Sequence, residues 1–116
     1  MAGAVVLRLY IHVRYEWDDA KNRLNQKKHG VSFELAALAL EDENCLVRQD
    51  RVDETGEQRW HALGAAQLGA GMRTVLFVVH VYREVTNGEE VVRIISARRA
   101  DQHDIKRYQE QEMDRS

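Results

Sequence analysis

The stretch TVLFVVHVYREVTNGEEVVRIISARR, residues 74–99, decides the fold. Thr74 to Tyr82 is apolar on both alternating faces, the pattern of a strand covered on each side, so it belongs at the centre of a sheet. Asn87-Gly88 supplies two residues that tolerate positive φ, as a two-residue hairpin turn requires, and Val91 to Ala97 is then the return strand. Such a turn pairs Thr86 with Glu89 and therefore Val78 with Ala97, bringing His80 within about two residue steps of Arg98. Whether the two side chains share a face depends on that register, and one bulge would reverse the answer.

Outward from this hairpin the chain is punctuated clearly. Gly69 to Gly71 reads as a tight turn, preceded by short strands at Cys45 to Arg51 and Gln58 to Gly64 around an acidic turn at Glu54-Thr55-Gly56. Ser32 caps a helix with Glu34 in its electropositive first turn, and Phe33, Ala36, Ala37 and Leu40 fall at helical spacing on a packing face. Asp18 or Asp19 caps an earlier helix that runs to about His29 and stops at Gly30, with Trp17, Ala20 and Leu24 as its thin apolar stripe. Before it, Leu7 to Tyr15 alternates with the period of one half-buried strand. After the hairpin, Ala100 to about Gln111 reads as a helix with Ile105 and Tyr108 facing inward. The order βααββββα predicts an α+β fold: an antiparallel sheet packed with two N-terminal helices and one C-terminal helix.

Length and composition narrow the function classes. At 116 residues, 44% apolar and 31% charged, residues 1–116 suit one domain with a conventional core. A single cysteine, Cys45, excludes an internal disulfide framework and a cysteine-rich zinc site, and reads as a small buried residue. The apolar opening is too short for a membrane span and lacks the layout of a signal peptide, so no membrane role is expected and the expected compartment is the cytoplasm. There is no phosphate loop, dinucleotide fingerprint, nucleophile elbow or His-Glu-x-x-His, so no cofactor is expected. His12, His29, His61, His80 and His103 form no close pair at ligand spacing, so no metal is expected either.

The net charge of −2 conceals segregation. Lys21, Arg23, Lys27 and Lys28 make one basic tract, and Arg93, Arg98, Arg99, Lys106 and Arg107 dominate a second, whereas residues 41–57 hold seven acids. Such a distribution suits a polyanion on one surface and a different partner on another. His80 ends an apolar run, where a rigid strand would hold a group that titrates near neutral pH. Arg98 and Arg99, at an element junction, have the makings of a phosphate clamp, although one of two adjacent side chains is expected to point to solvent. Arg99, His103 and Arg107 would share a face if all three were helical. Glu57 and Arg59 bracket a strand start and read on spacing alone as an ion pair.

Five segments together resemble the BrnT family of toxins, within the broader RelE-like ribonucleases. They are Tyr15-Glu16-Trp17-Asp18 with Ala20-Lys21, Lys28-His29-Gly30-Val31-Ser32-Phe33-Glu34 with Ala36, Gly56-Glu57-Gln58-Arg59-Trp60, Val78-Val79-His80, and Arg93-Ile94-Ile95-Ser96-Ala97-Arg98-Arg99-Ala100. The resemblance implies a RelE-like sheet flanked by helices, cleavage of mRNA, and silencing by a BrnA-type ribbon-helix-helix antitoxin. It further implies a toxin–antitoxin hetero-oligomer that reaches operator DNA only through the antitoxin. Two departures stand out: residues 1–14 precede the usual family start, and His61 and Ala62 occupy positions where the family more often has apolar β-branched residues.

RNA cleavage without metal needs a base for the 2′-hydroxyl, positive charge on the phosphate and an acid for the leaving oxygen. His80 or Glu57 is the candidate base, Arg59, Arg98 and Arg99 are candidate phosphate stabilisers, and Tyr108 is a further candidate for proton transfer. Lys28, His29, His103 and Arg107 would extend the RNA-binding surface. The acidic tract at 41–57 or the adjoining sheet edge is expected to help bind the antitoxin. The competing classes are a noncatalytic binding module, which would leave transcripts intact, and a metal-dependent hydrolase, which a chelator would silence.

Overall fold

A computed structural model describes residues 3–10, 13–84 and 88–115. Along the chain lie β1 (Ala4–Tyr10), β2 (Val13–Asp18), α1 (Asp19–His29), α2 (Phe33–Leu40), β3 (Leu46–Val52), β4 (Gln58–Gly69), β5 (Met72–Glu84), β6 (Glu90–Arg99) and α3 (Gln102–Arg115). Among the described residues, six strands form one sheet in the order β1-β2-β6-β5-β4-β3. The α+β class and the three helices match the expectation from sequence, but the expected order of a single N-terminal strand in an all-antiparallel sheet does not hold. Leu7 to Tyr15 is two strands, β1 and β2, paired antiparallel with Leu7 opposite Tyr15. In the sequence, apolar and polar residues alternate from Leu7 to Tyr15, and no glycine, proline, asparagine or aspartate stands at 10–13 to mark a strand end. The sheet is also mixed, because β2 runs parallel to β6, with Glu16 opposite Arg93.

The central hairpin follows the expected register at one end, where Val78 faces Ala97 and Phe77 faces Arg98. A bulge between Val79 and His80 then shifts it, so that His80 faces Ile94 and Ile95 is the extra residue. Thr86 and Asn87, on which the turn was predicted, lie outside the described residues, as does His12.

One face of the sheet carries α1 and α2. The Asp18 carboxylate accepts from the Lys21 N–H to start α1, and Gly30, at φ 70°, closes it with its N–H on the Gln26 carbonyl. Contrary to the expected apolar stripe, α1 turns Asn22 and Asn25 inward and leaves Leu24 65% exposed. The cause is polar: where β6 outruns β2, the Asn25 side chain donates to the Ala97 carbonyl at 2.7 Å and accepts from its N–H at 3.2 Å. An amide here satisfies a strand edge that would otherwise be buried unpaired, and that requirement sets the rotation of the helix. By contrast, α2 packs as its pattern predicts, burying Phe33, Ala36 and Ala37 against Leu76, Val78 and Ile94. Gly64 of β4 permits this close approach, since a Cβ there would sit 2.0 Å from the Ala39 carbonyl oxygen.

α3 lies against the opposite face near the start of β5, with Ile105 and Tyr108 beside Arg73 and Val75. Its first turn is fixed reciprocally: the Asp104 N–H donates to the Asp101 carboxylate at 2.8 Å, and the Asp101 N–H donates to that of Asp104 at 3.1 Å.

Candidate functional site

Strand alternation divides the chemistry-bearing residues between two faces. On β5, Leu76, Val78 and His80 point toward α2, whereas Phe77, Val79 and Val81 point the other way. Through the ladder, Arg59 and His61 of β4 and Arg93 and Arg98 of β6 fall on that second face. The Arg98 guanidinium lies 4.1 Å from the centroid of the Phe77 ring, which the ladder places directly opposite it. From the other neighbouring strand, His61 stacks on the same ring at 5.1 Å and 21°. Three strands thus contribute one Arg98–Phe77–His61 row.

Beside this row the face is lined with arginines held by carboxylates. Glu57 pairs with Arg83 at 3.4 Å, Arg83 with Glu16 at 3.6 Å, and Glu16 with Arg93 at 3.2 Å. Arg59 bonds Asp53 at 3.3 Å, not Glu57, because Asp53 is the hub of the preceding turn. The Asp53 carboxylate accepts from the Thr55 hydroxyl and from the N–H groups of Thr55 and Glu57. The Thr55 hydroxyl, then the Glu57 N–H, hold its pKa down to about 2 against a small burial effect. At the α3 end, Arg98 Nη1 donates to Asp104 at 3.0 Å and to the Arg99 carbonyl at 3.1 Å. Arg107 lies 3.9 Å from the same carboxylate. Burial alone would raise the Asp104 pKa, but the Asp101 N–H and Arg98 outweigh it and hold the group below its usual value.

Of the residues singled out from sequence, Arg98, Arg59 and Glu57 are brought to this face, with Arg107 at its margin. Arg99 is exposed and points away from Arg98. It is the last residue of β6, paired with Leu76, so the helical face expected to join Arg99 with His103 and Arg107 keeps only the latter two. His103 is exposed on the first turn of α3. Tyr108 is buried, its hydroxyl donating to Asp42 and accepting from Arg73 at 3.1 Å. Lys28 and His29 stand exposed at the end of α1, on the helix-covered side.

His80 is fully buried on the face opposite Arg98, edge-on to Tyr82 at 5.0 Å. It lines a 190 Å³ cavity with Tyr15, Glu41 and Tyr82, and among the described residues neither ring nitrogen makes a well-formed hydrogen bond. Burial pushes its pKa down to about 4, an effect the Val78 backbone offsets only in part. Sequence reading passed over His61, although its spacing of two from Arg59 in a strand is the signal that puts both on one face. Among the described residues, no three His, Cys, Asp or Glu side chains converge as metal ligands.

The family model for the ribonuclease toxin BrnT of type II toxin–antitoxin systems matches residues 17–104. The chain belongs to the BrnT family. Comparison with curated proteins finds no match. The BrnT match spans Glu57, Arg59, His61, Phe77, Arg93 and Arg98, whereas Glu16, Arg107 and Tyr108 fall outside it. A BrnT-family chain is a ribonuclease toxin with RNA as substrate and an antitoxin as partner. No helix among the described residues is long and apolar enough to cross a membrane.

Proposed function

We propose that the arginine-lined face of this BrnT-family toxin cleaves mRNA by phosphoryl transfer without a metal ion. The observation that carries the reading is the Arg98–Phe77–His61 row on an accessible strand surface, with Arg59 on the same strand and face as His61. Arg98 and Arg59 stabilise the charge that builds on the phosphate. Stacking on Phe77 fixes the Arg98 plane, and its contacts to Asp104 and the Arg99 carbonyl use Nη1, leaving Nη2 and Nε to meet phosphate oxygens. His61, an imidazole held by strand and ring stacking, takes the proton from the 2′-hydroxyl as that oxygen attacks phosphorus. Arg83, joined to Glu57 at 3.4 Å, is assigned in this reading to offset charge on the leaving 5′-oxygen, which takes its proton from solvent. His80 and Tyr108 serve the interior and take no part in the chemistry.

The antitoxin in this reading is a BrnA-type ribbon-helix-helix protein, through which the complex reaches operator DNA. Its support is the family's type II assignment. The test of the chemistry is cleavage of mRNA by purified protein in excess chelator. Arg98→Ala and His61→Ala should each lower the rate on the order of 10²–10³-fold while the protein stays folded. Full activity in both folded variants would move the centre elsewhere. Abolition by chelator would sink the metal-free mechanism, and tight binding of intact RNA would make the chain a noncatalytic module.

A further inference from the structure

On the side away from the arginine face, a groove of 610 Å³ runs between α1 and the free edge of β6. It is lined by Lys21, Leu24, Lys27, Lys28, Ile95 and Ser96, among others, with His29 at its end and no acidic residue in its wall. The fold fixes where positions 24 and 95 point but does not require them to be apolar. Leu24 is 65% exposed because Asn25 has taken the inward position, so the helix presents its leucine to the groove instead of the core. Ile95, the extra residue of the β6 bulge, supplies the facing apolar surface. Cations in the last turn of a helix offset its dipole, which accounts for Lys27 and Lys28 but not for Lys21 or Leu24. Lys21, Leu24 and Lys28 lie at helical spacing along one side of α1, a Lys-Leu-Lys stripe.

We propose that this groove docks an acidic, amphipathic segment of the antitoxin, an apolar side chain of the segment resting on Leu24 and Ile95 while its carboxylates meet Lys21, Lys27 and Lys28. The proposal rests on the type II reading of the family and is independent of the RNA chemistry. The lining favours a peptide over RNA. It holds no phenylalanine, tyrosine, tryptophan or arginine on which a base would stack, His29 being its one ring, and an exposed leucine gains nothing from a phosphate. An apolar anchor inside a charged rim is the arrangement by which grooves hold amphipathic segments. Because α1 and the arginine face occupy opposite sides of the sheet, the two surfaces can be varied separately. The proposal places the antitoxin on a basic tract, not on residues 41–57.

The test uses the full chain and the product of the open reading frame beside its gene, with affinity measured at low and high salt. Lys21→Glu with Lys27→Glu, and separately Leu24→Asp, should weaken the complex at least tenfold. The charge-reversal pair should also flatten the salt dependence, and RNA cleavage by the free toxin should be unchanged. Complex formation should slow amide exchange in residues 20–29 and 95–97. Affinities within twofold of the parent, or no complex at all, would overturn the proposal. So would loss of RNA cleavage with antitoxin affinity intact, which would make the groove an RNA surface. If the parent chain cleaves no RNA, the affinity and exchange measurements still decide the groove.

Discussion

A buried histidine with no well-formed hydrogen bond among the described residues, enclosed by tyrosines and a glutamate, has a consequence for stability. The pKa of His80 lies near 4 when folded and near 6.5 when unfolded, so between those values the unfolded chain binds the proton more readily. Stability from this residue is complete above pH 6.5 and is lost as pH falls toward 4. The difference amounts to on the order of 3 kcal/mol. Denaturation midpoints measured across that range should fall in the parent, and His80→Phe should flatten the slope. An equal slope in the variant would assign the loss to other groups. Cys45 is the second such case: burial, then Asp42 and Glu41, push its thiol up to about 12. It should therefore resist alkylation at neutral pH in the folded protein and react on unfolding; rapid labelling of the native state would contradict this. Cys45, expected from the sequence to be a small buried group, is only half-buried. Sequence reading gave His80 a catalytic place because the residue type and the strand were legible, whereas which side of the sheet His80 occupied was not.

The spacing of α2 and β4 rests on one missing methyl group. Gly64 faces the Ala39 backbone, and backbone cannot move aside as the end of a side chain can. Gly64→Ala should push α2 off the sheet and cost on the order of 3 kcal/mol, lowering Tm by roughly 10 °C. A Tm unchanged within error would show that α2 slides freely. In the sequence, α2 and the central hairpin were readable because apolar periodicity is written by burial, and both are buried. The rotation of α1 was not, since an asparagine bonded to the edge of β6 dictates it across 72 residues of chain. The division of the N-terminal segment into β1 and β2 was hidden for a different reason: both arms of a hairpin alternate alike. The candidate site was legible in part, through Arg98, Arg59 and Glu57. His61 emerged only once β4, β5 and β6 were seen to place it on Phe77.

Across the sheet, Glu16, Arg93, Arg83 and Glu57 link three strands and the residue just before β4 by ion pairs, and the first of these contacts joins residues 77 apart in the chain. A sheet that depends on such distant partners should refold in milliseconds to seconds, not microseconds. With no proline in the sequence, a slow phase of tens of seconds from prolyl isomerisation should be missing. Stopped-flow refolding monitored by Trp17 and Trp60 tests both statements, and a dominant microsecond phase would contradict the first.

The parallel pairing of β2 with β6 also orders events during synthesis. A nascent chain that has emerged only as far as β5 has β1 but no inner-strand partner for β2, no Arg93 or Arg98 on its strand surface, and no Ile95 or Ser96 beside α1. When β6 arrives it completes the arginine face and the groove together. If the arginine face cleaves RNA and the groove binds the antitoxin, as proposed, activity and recognition arise at the same moment of translation, leaving the antitoxin no earlier target and no later delay.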